Sequence, residues 1–227
     1  MWAPSPCPPG QYKATTGSNT ACANCPAGYF CNDWGIQGPL DATRVCPGGY
    51  YCPASTNDYL QNLCKPGYYC PLGSTSMTAC DTGSYCNDYG LSTPSGTCEA
   101  GYICITLATR PNPDDNGITG IQCPTGYYCP AGACPLGSLF PTCTVFQTAC
   151  PIGTYNDKTG TFSLSYCLNC PPNKQCNAVA LSTPQTSCPA GFYCSTVNGI
   201  FIQTQCDAGY QCPSNQLAEQ RCLPGTY

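Results

Sequence analysis

The sequence has 227 residues, among them 25 cysteines, 24 glycines and 24 prolines, with seven basic and eleven acidic residues that give a net charge of −4. About 11% cysteine is typical of a disulfide scaffold. So many prolines and glycines interrupt long helices and strands. The low, dispersed charge argues against a nucleic-acid-binding protein. Histidine is absent, which removes the Ser-His and Cys-His arrangements of hydrolytic catalysis. We therefore expect no enzymatic activity, no catalytic residue and no cofactor.

A seven-residue motif recurs from one end to the other, and its clearest copy is Cys123-Pro124-Thr125-Gly126-Tyr127-Tyr128-Cys129. Glycine at the fourth place permits φ > 0, so a tight turn can bring the two cysteines within disulfide distance. In one copy Asn173 replaces the glycine, and asparagine also tolerates a left-handed backbone. We call each segment between two cysteines six positions apart a knuckle. Nine are present: Cys25–Cys31, Cys46–Cys52, Cys64–Cys70, Cys80–Cys86, Cys98–Cys104, Cys123–Cys129, Cys170–Cys176, Cys188–Cys194 and Cys206–Cys212.

A variant of the motif, with no cysteine at its seventh place, marks the start of larger blocks. It begins at Cys7, Cys150 and Cys222, and the next cysteines after the first two are Cys22 and Cys167. The sequence therefore predicts a cysteine-rich block over residues 1–145, a second over 146–221, and a third that begins at 222–227 and is truncated. The first block contains an insertion at 105–122 and an irregular segment at 134–143.

The blocks are related by more than cysteine spacing. Leu91-Ser92-Thr93-Pro94 in the first block is answered by Leu181-Ser182-Thr183-Pro184 in the second, which indicates duplication. Repeats with a period of about 16 to 21 residues suggest a protein in which each unit contacts its neighbours. We predict small disulfide-rich repeats: an elongated rod of short β-hairpins and loops, with almost no helix and no large hydrophobic core.

Disulfide pairing cannot be read from spacing alone, and two schemes fit. Cysteines number sixteen from Cys7 to Cys143 and eight from Cys150 to Cys212, so each block can close on itself and leave Cys222 to pair beyond the sequence. A crossed scheme joins adjacent knuckles, for example Cys25 to Cys46 and Cys31 to Cys52. The simpler local scheme closes every knuckle internally and adds three further pairs: Cys7–Cys22, Cys134–Cys143 and Cys150–Cys167.

The order Cys-Pro-x-Gly-x-Tyr, polar loop, Cys-x-x-Cys-Pro-x-Gly resembles the ephrin-receptor-like cysteine-rich repeat, which is itself similar to tumour-necrosis-factor-receptor modules. The form with a cysteine directly after the aromatics resembles repeats of protist and algal surface proteins, including glycoproteins of flagellar hairs (mastigonemes). The resemblance implies an extracellular, disulfide-stapled rod. Cysteine density independently favours an oxidising compartment, and no apolar stretch approaches the roughly 20 residues that span a bilayer.

The opening residues, 1–6, carry no signal-peptide pattern. A secreted cysteine-rich chain should have one, so we expect the sequence to be part of a longer chain.

Two motifs could suggest metal binding, but each is better explained in another way. Cys22-x-x-Cys25 and Cys167-x-x-Cys170 have zinc-like spacing, but regularly spaced cysteines in such number favour disulfides. The cluster Asp114-Asp115-Asn116-Gly117 offers oxygen ligands but lacks the alternating spacing of a calcium loop, which favours a solvated turn. We expect no metal.

Aromatic and hydroxyl side chains give the remaining candidates. Knuckle tyrosines are expected to cover neighbouring disulfides, whereas Trp34 and Tyr89, both in Cys-Asn-Asp-aromatic-Gly, lie outside the knuckles and are candidates for a contact surface. No Asn-x-Ser/Thr sequon occurs. Hydroxyl groups next to proline suggest O-glycosylation at Ser92, Thr93, Ser182 and Thr183.

These features predict a structural extracellular protein that forms or belongs to a cell-surface filament or coat. Its expected partners are further copies or other extracellular structural proteins, with glycans as a further candidate. The alternative is the cysteine-rich stalk or ligand-binding ectodomain of a receptor, for which 105–143 is the candidate specialised patch.

Overall fold

The computed structural model describes residues 5–16, 21–38, 40–133, 146–171, 174–197 and 200–225. Within them the chain forms very short strands and three single turns of 3-10 helix, at Ala42–Arg44, Tyr59–Gln61 and Leu164–Tyr166. The predicted class, small disulfide-rich repeats built of β-hairpins with almost no helix, is confirmed. No helix in the described ranges is long and apolar enough to cross a membrane.

The strands are β1 Gln11–Tyr12, β2 Ala23–Asn24, β3 Tyr68–Tyr69, β4 Thr78–Ala79, β5 Ser84–Tyr85, β6 Gly96–Thr97, β7 Tyr102–Cys104, β8 Gly120–Gln122, β9 Tyr127–Tyr128, β10 Thr148–Ala149, β11 Thr154–Tyr155, β12 Leu168–Asn169, β13 Lys174–Gln175, β14 Gln185–Ser187, β15 Phe192–Val197, β16 Ile200–Gln205, β17 Tyr210–Gln211 and β18 Gln220–Arg221. They pair two by two in chain order, from β1 with β2 to β17 with β18.

Each hairpin has the same origin in the sequence. The residues after the fourth place of a knuckle, or of the variant motifs at Cys7 and Cys150, form one strand, and the residues before the first cysteine of the next knuckle or variant motif form the other. Tyr68 and Tyr69, for example, pair with Ala79 and Thr78, directly before Cys80. The strand pairs are therefore the links by which one knuckle leads into the next.

The chain divides into two compact units. One contains Met1–Cys98 and Cys104–Gly120, and the other contains Glu99–Ile103 and most of the chain from Ile121 onward. The block boundary predicted near residue 145 remains a prediction, because it rests on cysteine pattern alone. Inside the second unit, the bonding between successive knuckles continues across that position: the amide of Cys150 donates to the carbonyl of Gly126 at 2.9 Å.

Cysteine forms most of the buried interior. The buried apolar residues of the described part are mainly knuckle cysteines, accompanied by a few side chains such as Phe30, Ile103 and Ala108. Tyr12 and Tyr29 pack on the buried cluster that contains Cys25 and Cys31. Tyrosine rings thus shield a disulfide from water, as expected, and supply the apolar area that aliphatic side chains supply in larger cores.

Backbone hydrogen bonds join each knuckle to the next in a fixed pattern. In the junction between Cys46–Cys52 and Cys64–Cys70, the amide of Gly49 donates to the carbonyl of Cys70 (2.8 Å), and the Gly49 carbonyl accepts from the amide of Cys64 (2.9 Å). Gly49 has φ +88°, a conformation that favours glycine. Equivalent pairs of bonds are made by Gly10, Gly28, Gly67, Gly83, Gly101, Gly126, Gly153 and Gly191.

A second pair of bonds completes the junction. The amide of Gly73 donates to the carbonyl of Cys46 (2.8 Å), and the amide of Cys52 donates to the carbonyl of Ser74 (2.9 Å). Gly73 also has positive φ. We call the residue in this place, three or four positions after the end of a knuckle, the turn residue. Described turn residues that donate to the first cysteine of the preceding knuckle, or of the variant motif at Cys7 or Cys150, are Gly35, Ser55, Gly73, Gly90, Leu107, Gly160, Ala180 and Asn215.

Candidate functional site

The disulfides follow the local scheme wherever the structure describes them. Nine bonds close knuckles internally, and two close the longer loops Cys7–Cys22 and Cys150–Cys167; the Cα–Cα distances run from 5.5 to 6.1 Å. The crossed alternative is not formed there. The expected pair Cys134–Cys143 and the turn position Asn173 lie outside the described residues. Cys222 is a free thiol.

The zinc hypothesis fails on these bonds. Cys22 is bonded to Cys7, and Cys25 is bonded to Cys31. The second Cys-x-x-Cys, at Cys167 and Cys170, is oxidised in the same way. A sulfur in a disulfide has no thiolate to offer a metal. In the described ranges no group of three or more Cys, Asp or Glu side chains is placed to hold a metal ion.

Two residues stand where a knuckle's second cysteine would be, and sequence reasoning did not single them out. Both are buried: Lys13, six residues after Cys7, and Asn156, six residues after Cys150. Their amides donate to the carbonyls of Ile36 (3.0 Å) and Leu181 (2.9 Å) as a cysteine amide does elsewhere. The junction therefore depends on the backbone, and the second cysteine is replaceable. The missing seventh-place cysteine was the signal that could have found them.

The side chain of Asn156 takes the place of the second cysteine and forms hydrogen bonds there. Its Nδ2 donates to the carbonyl of Tyr127 (2.8 Å) and to Oγ1 of Thr161 (2.7 Å), and its Oδ1 accepts from the amide of Lys158 (3.1 Å). Asn156 is 1% exposed and Thr161 is 2% exposed. A buried amide with these partners stabilises the knuckle without a disulfide.

The candidate contact residues Trp34 and Tyr89 occupy equivalent places. Each directly precedes a turn residue, Gly35 or Gly90, and the side chains are 67% and 60% exposed. Their exposure follows from the turn: the backbone of the next residue is held against the preceding knuckle, and the side chain before it points away. Leu72, before the turn residue Gly73, is 73% exposed in the same way. Val179, before the turn residue Ala180, is 58% exposed. Sequence reasoning missed Leu72 and Val179, because neither is aromatic.

The predicted glycosylation sites also follow turn residues. Ser92 and Thr93 are exposed, whereas Ser182 is half-buried and Thr183 is exposed. The repeated leucine before them has a structural role: the carbonyl of Leu91 accepts from the amide of Cys70 (2.8 Å). The duplicated Leu-Ser-Thr-Pro thus marks a junction, and the hydroxyl groups are accessible beside it.

The acidic loop of the insertion is organised around one carboxylate. Oδ1 of Asp115 accepts from the amides of Thr119 (2.9 Å) and Gly120 (3.1 Å), and Oδ2 accepts from the hydroxyl of Thr119 (2.6 Å). The hydroxyl of Thr119 is the largest cause that lowers the pKa of Asp115 to about 2. Both carboxylate oxygens are thus used within the loop, which fits the solvated-turn interpretation better than a calcium site. Ile118 is 76% exposed at this loop.

A cavity of about 340 Å³ opens beside the first knuckles. It is lined by Tyr12, Ala14, Pro26, Tyr29 and Leu40. Three of these side chains, those of Tyr12, Tyr29 and Leu40, also pack over the buried Cys25 and Cys31. The cavity is therefore bounded by the same rings that shield the disulfide, and its walls are apolar with tyrosine hydroxyls.

No family model and no curated protein matched this sequence. The likeness to ephrin-receptor-like repeats therefore rests on the cysteine, glycine and tyrosine motifs alone.

Proposed function

We propose that this chain is a non-enzymatic structural protein of the cell exterior, and that its ephrin-receptor-like repeats form or belong to a surface filament or coat of the mastigoneme kind. The observation that carries the proposal is the junction. The same backbone bonds recur between successive knuckles, whatever the side chains between them. Modules that all bond to their neighbours in the same way can be repeated many times along a chain. Such repetition suits a structural protein whose role depends on its length.

The disulfides support the extracellular part of the proposal. Eleven described bonds require an oxidising environment to form and persist. Each knuckle bond also restricts the unfolded chain, which by the loop-entropy model contributes about 2 kcal/mol for a loop of this size. Covalent closure of every module resists unfolding where no chaperone is at hand.

Electron microscopy of the natural material tests the proposal. Fibres or sheets that contain this chain, and that lose their order when disulfides are reduced, are the expected result. Discrete short particles whose size is the same at all concentrations would overturn it.

A receptor ectodomain is the second candidate, and the insertion favours it. Ile118 is held at the surface of a loop whose backbone is fixed by Asp115, and an ordered, exposed apolar side chain is what a binding loop offers a ligand. If only discrete particles are found, replacement of Ile118 by aspartate in a cell-surface binding assay is the experiment that follows.

A further inference from the structure

The hairpin formed by β15 and β16 is longer than the others. Phe192–Val197 pairs with Ile200–Gln205 over six positions, whereas every other strand in the described ranges has two or three residues. Two residues on each strand suffice for the link between knuckles. The additional residues extend the strands beyond the junction, so they need an explanation of their own.

The direction of the backbone groups follows from one bond. In an antiparallel pair, opposite residues alternate between those that exchange hydrogen bonds and those that do not. The amide of Cys194 donates to the carbonyl of Gln216 (2.9 Å), outside the hairpin. Cys194 lies opposite Gln203. This pair therefore exchanges no bonds, and the N–H and C=O of Gln203 point away from β15.

The same alternation applies two residues to either side. The backbone groups of Phe201 and Gln205 also point outward, which gives β16 an outer edge with three donor and acceptor pairs. The outer edge of β15 is in use, because Gln216, which follows the next knuckle, bonds to it. Among the described strands, only β15 is hydrogen-bonded to β16; β13 lies close to β16 without pairing with it.

β16 also lacks the features that keep exposed strand edges apart. Proteins commonly protect such edges with charged residues, with proline, or by making the strand short. No charged residue occurs between Lys174 and Asp207, and no proline occurs between Pro189 and Pro213. Gln203 and Thr204 are exposed. The edge is long, uncharged and accessible.

We propose that the outer edge of β16 pairs with the same edge of a second copy of this chain. The two strands run antiparallel about a two-fold axis at Gln203, so that Gln203 lies opposite Gln203 and Phe201 opposite Gln205. Self-pairing places identical residues near one another, which a charged strand would resist and this uncharged strand does not. The inference rests on the proposed function and names the contact through which copies join.

Sedimentation velocity of the whole chain over a range of concentrations provides the test. The wild-type chain is expected to form a dimer. Q203K and Q203E should each raise the dimer dissociation constant at least tenfold, because the two-fold axis puts like charges side by side. An equimolar mixture of the two variants should recover the dimer, because opposite charges then face each other. Q211K, the same change on the exposed short strand β17, is the matched control and should behave as wild type.

A proline variant separates edge pairing from damage to the hairpin. Q203P removes an amide that points outward, so the hairpin keeps its own bonds while the central intermolecular bond is lost. The Thr204 amide should remain protected from hydrogen exchange in this variant, and the dimer should be lost.

A wild-type chain that stays monomeric at all concentrations overturns the inference. A dimer that Q203K, Q203E and Q203P leave unchanged overturns it also, but leaves the filament proposal in place. The filament proposal is contradicted by a different result: natural material that contains no fibres or sheets.

Discussion

A methyl group on Gly49 would overlap the backbone carbonyl of Gly90, the turn residue that follows Cys80–Cys86, two knuckles further along the chain. Gly49 also has φ +88° and makes both central bonds of its junction. Gly49 is thus required twice: by its own turn and by the close approach of the turn residue two knuckles further on. A knuckle glycine with such a close contact should therefore tolerate alanine less well than a knuckle glycine with open space beside its Cα.

The first prediction compares Gly49→Ala with Gly191→Ala. Gly191 has φ +90°, but nothing lies within 4 Å of an added methyl group. Its substitution should cost only the left-handed strain of alanine, about 1–2 kcal/mol. Gly49→Ala should cost this and about 1–3 kcal/mol more, because backbone must move aside.

Denaturant unfolding with disulfides intact measures the difference, and exchange of the Cys64 amide reports whether the junction opens. Equal destabilisation by the two variants would contradict the close approach at Gly49.

The second prediction concerns turn residues that are not glycine. Ala180 has φ +59° and donates to the carbonyl of Cys150, as Gly90 does to the carbonyl of Cys64. Ala180→Gly should stabilise the protein by about 0.5–1 kcal/mol, because relief of left-handed strain exceeds the entropy that glycine adds to the unfolded chain. Gly90→Ala, at the equivalent place, should destabilise it. Thermal unfolding of both variants provides the measurement, and shifts of the same sign would refute the equivalence.

The third prediction concerns Asn156. Removal of its side chain takes the donor from the buried hydroxyl of Thr161, one of two side-chain donors from the carbonyl of Tyr127, and the acceptor from the amide of Lys158. Asn156→Ala should therefore destabilise the protein by about 2–3 kcal/mol. Asn57→Ala, on an exposed asparagine, is the control and should change stability by less than about 0.5 kcal/mol. If both variants unfold at the same denaturant concentration, Asn156 does not replace the disulfide.

The fourth prediction is a pH dependence. The pKa of Asp115 is lowered to about 2, below the value of about 3.9 for an unfolded aspartate. A depressed pKa stabilises the loop above pH 3.9, and that stabilisation is lost as the pH falls toward 2. The Thr119 and Gly120 amides should stay protected at pH 4 and lose protection near pH 2. Asp115→Asn should reduce protection at pH 4 and remove its dependence on pH. Loss of protection in wild type already at pH 4 would show that the carboxylate does not organise the loop.

Much of this structure could be predicted from the sequence, because the residue types that form it, cysteine and glycine, have distinctive chemistry and backbone geometry. Cysteines six residues apart with an intervening glycine restrict the pairing, and the expected tight turn is formed at Gly126, with φ +83°. The turn residues left no comparable signal. Each turn residue contributes its backbone amide to the junction. Four different residue types can therefore fill this position, as in Gly35, Ser55, Leu107 and Ala180. Their distance from the end of the knuckle is three residues in some copies and four in others, in no regular order, which hides the pattern further.

The exposed side chains that precede turn residues were predicted only in part for the same reason. Trp34 and Tyr89 were found because they are aromatic within a repeated pentapeptide, while Leu72 and Val179 share their position without sharing that motif. The extended hairpin at β15 and β16 was not anticipated either. Its extra residues lie between Cys194 and Cys206, a spacing that is not unusual among the knuckles.

All the described disulfides join cysteines that are consecutive in the sequence. For a chain that enters an oxidising compartment with its amino terminus first, each cysteine meets its correct partner before any wrong one has arrived. Oxidation can then keep pace with synthesis, and the slow reshuffling of mispaired bonds is avoided. The order in which the ribosome delivers the cysteines already specifies how they pair.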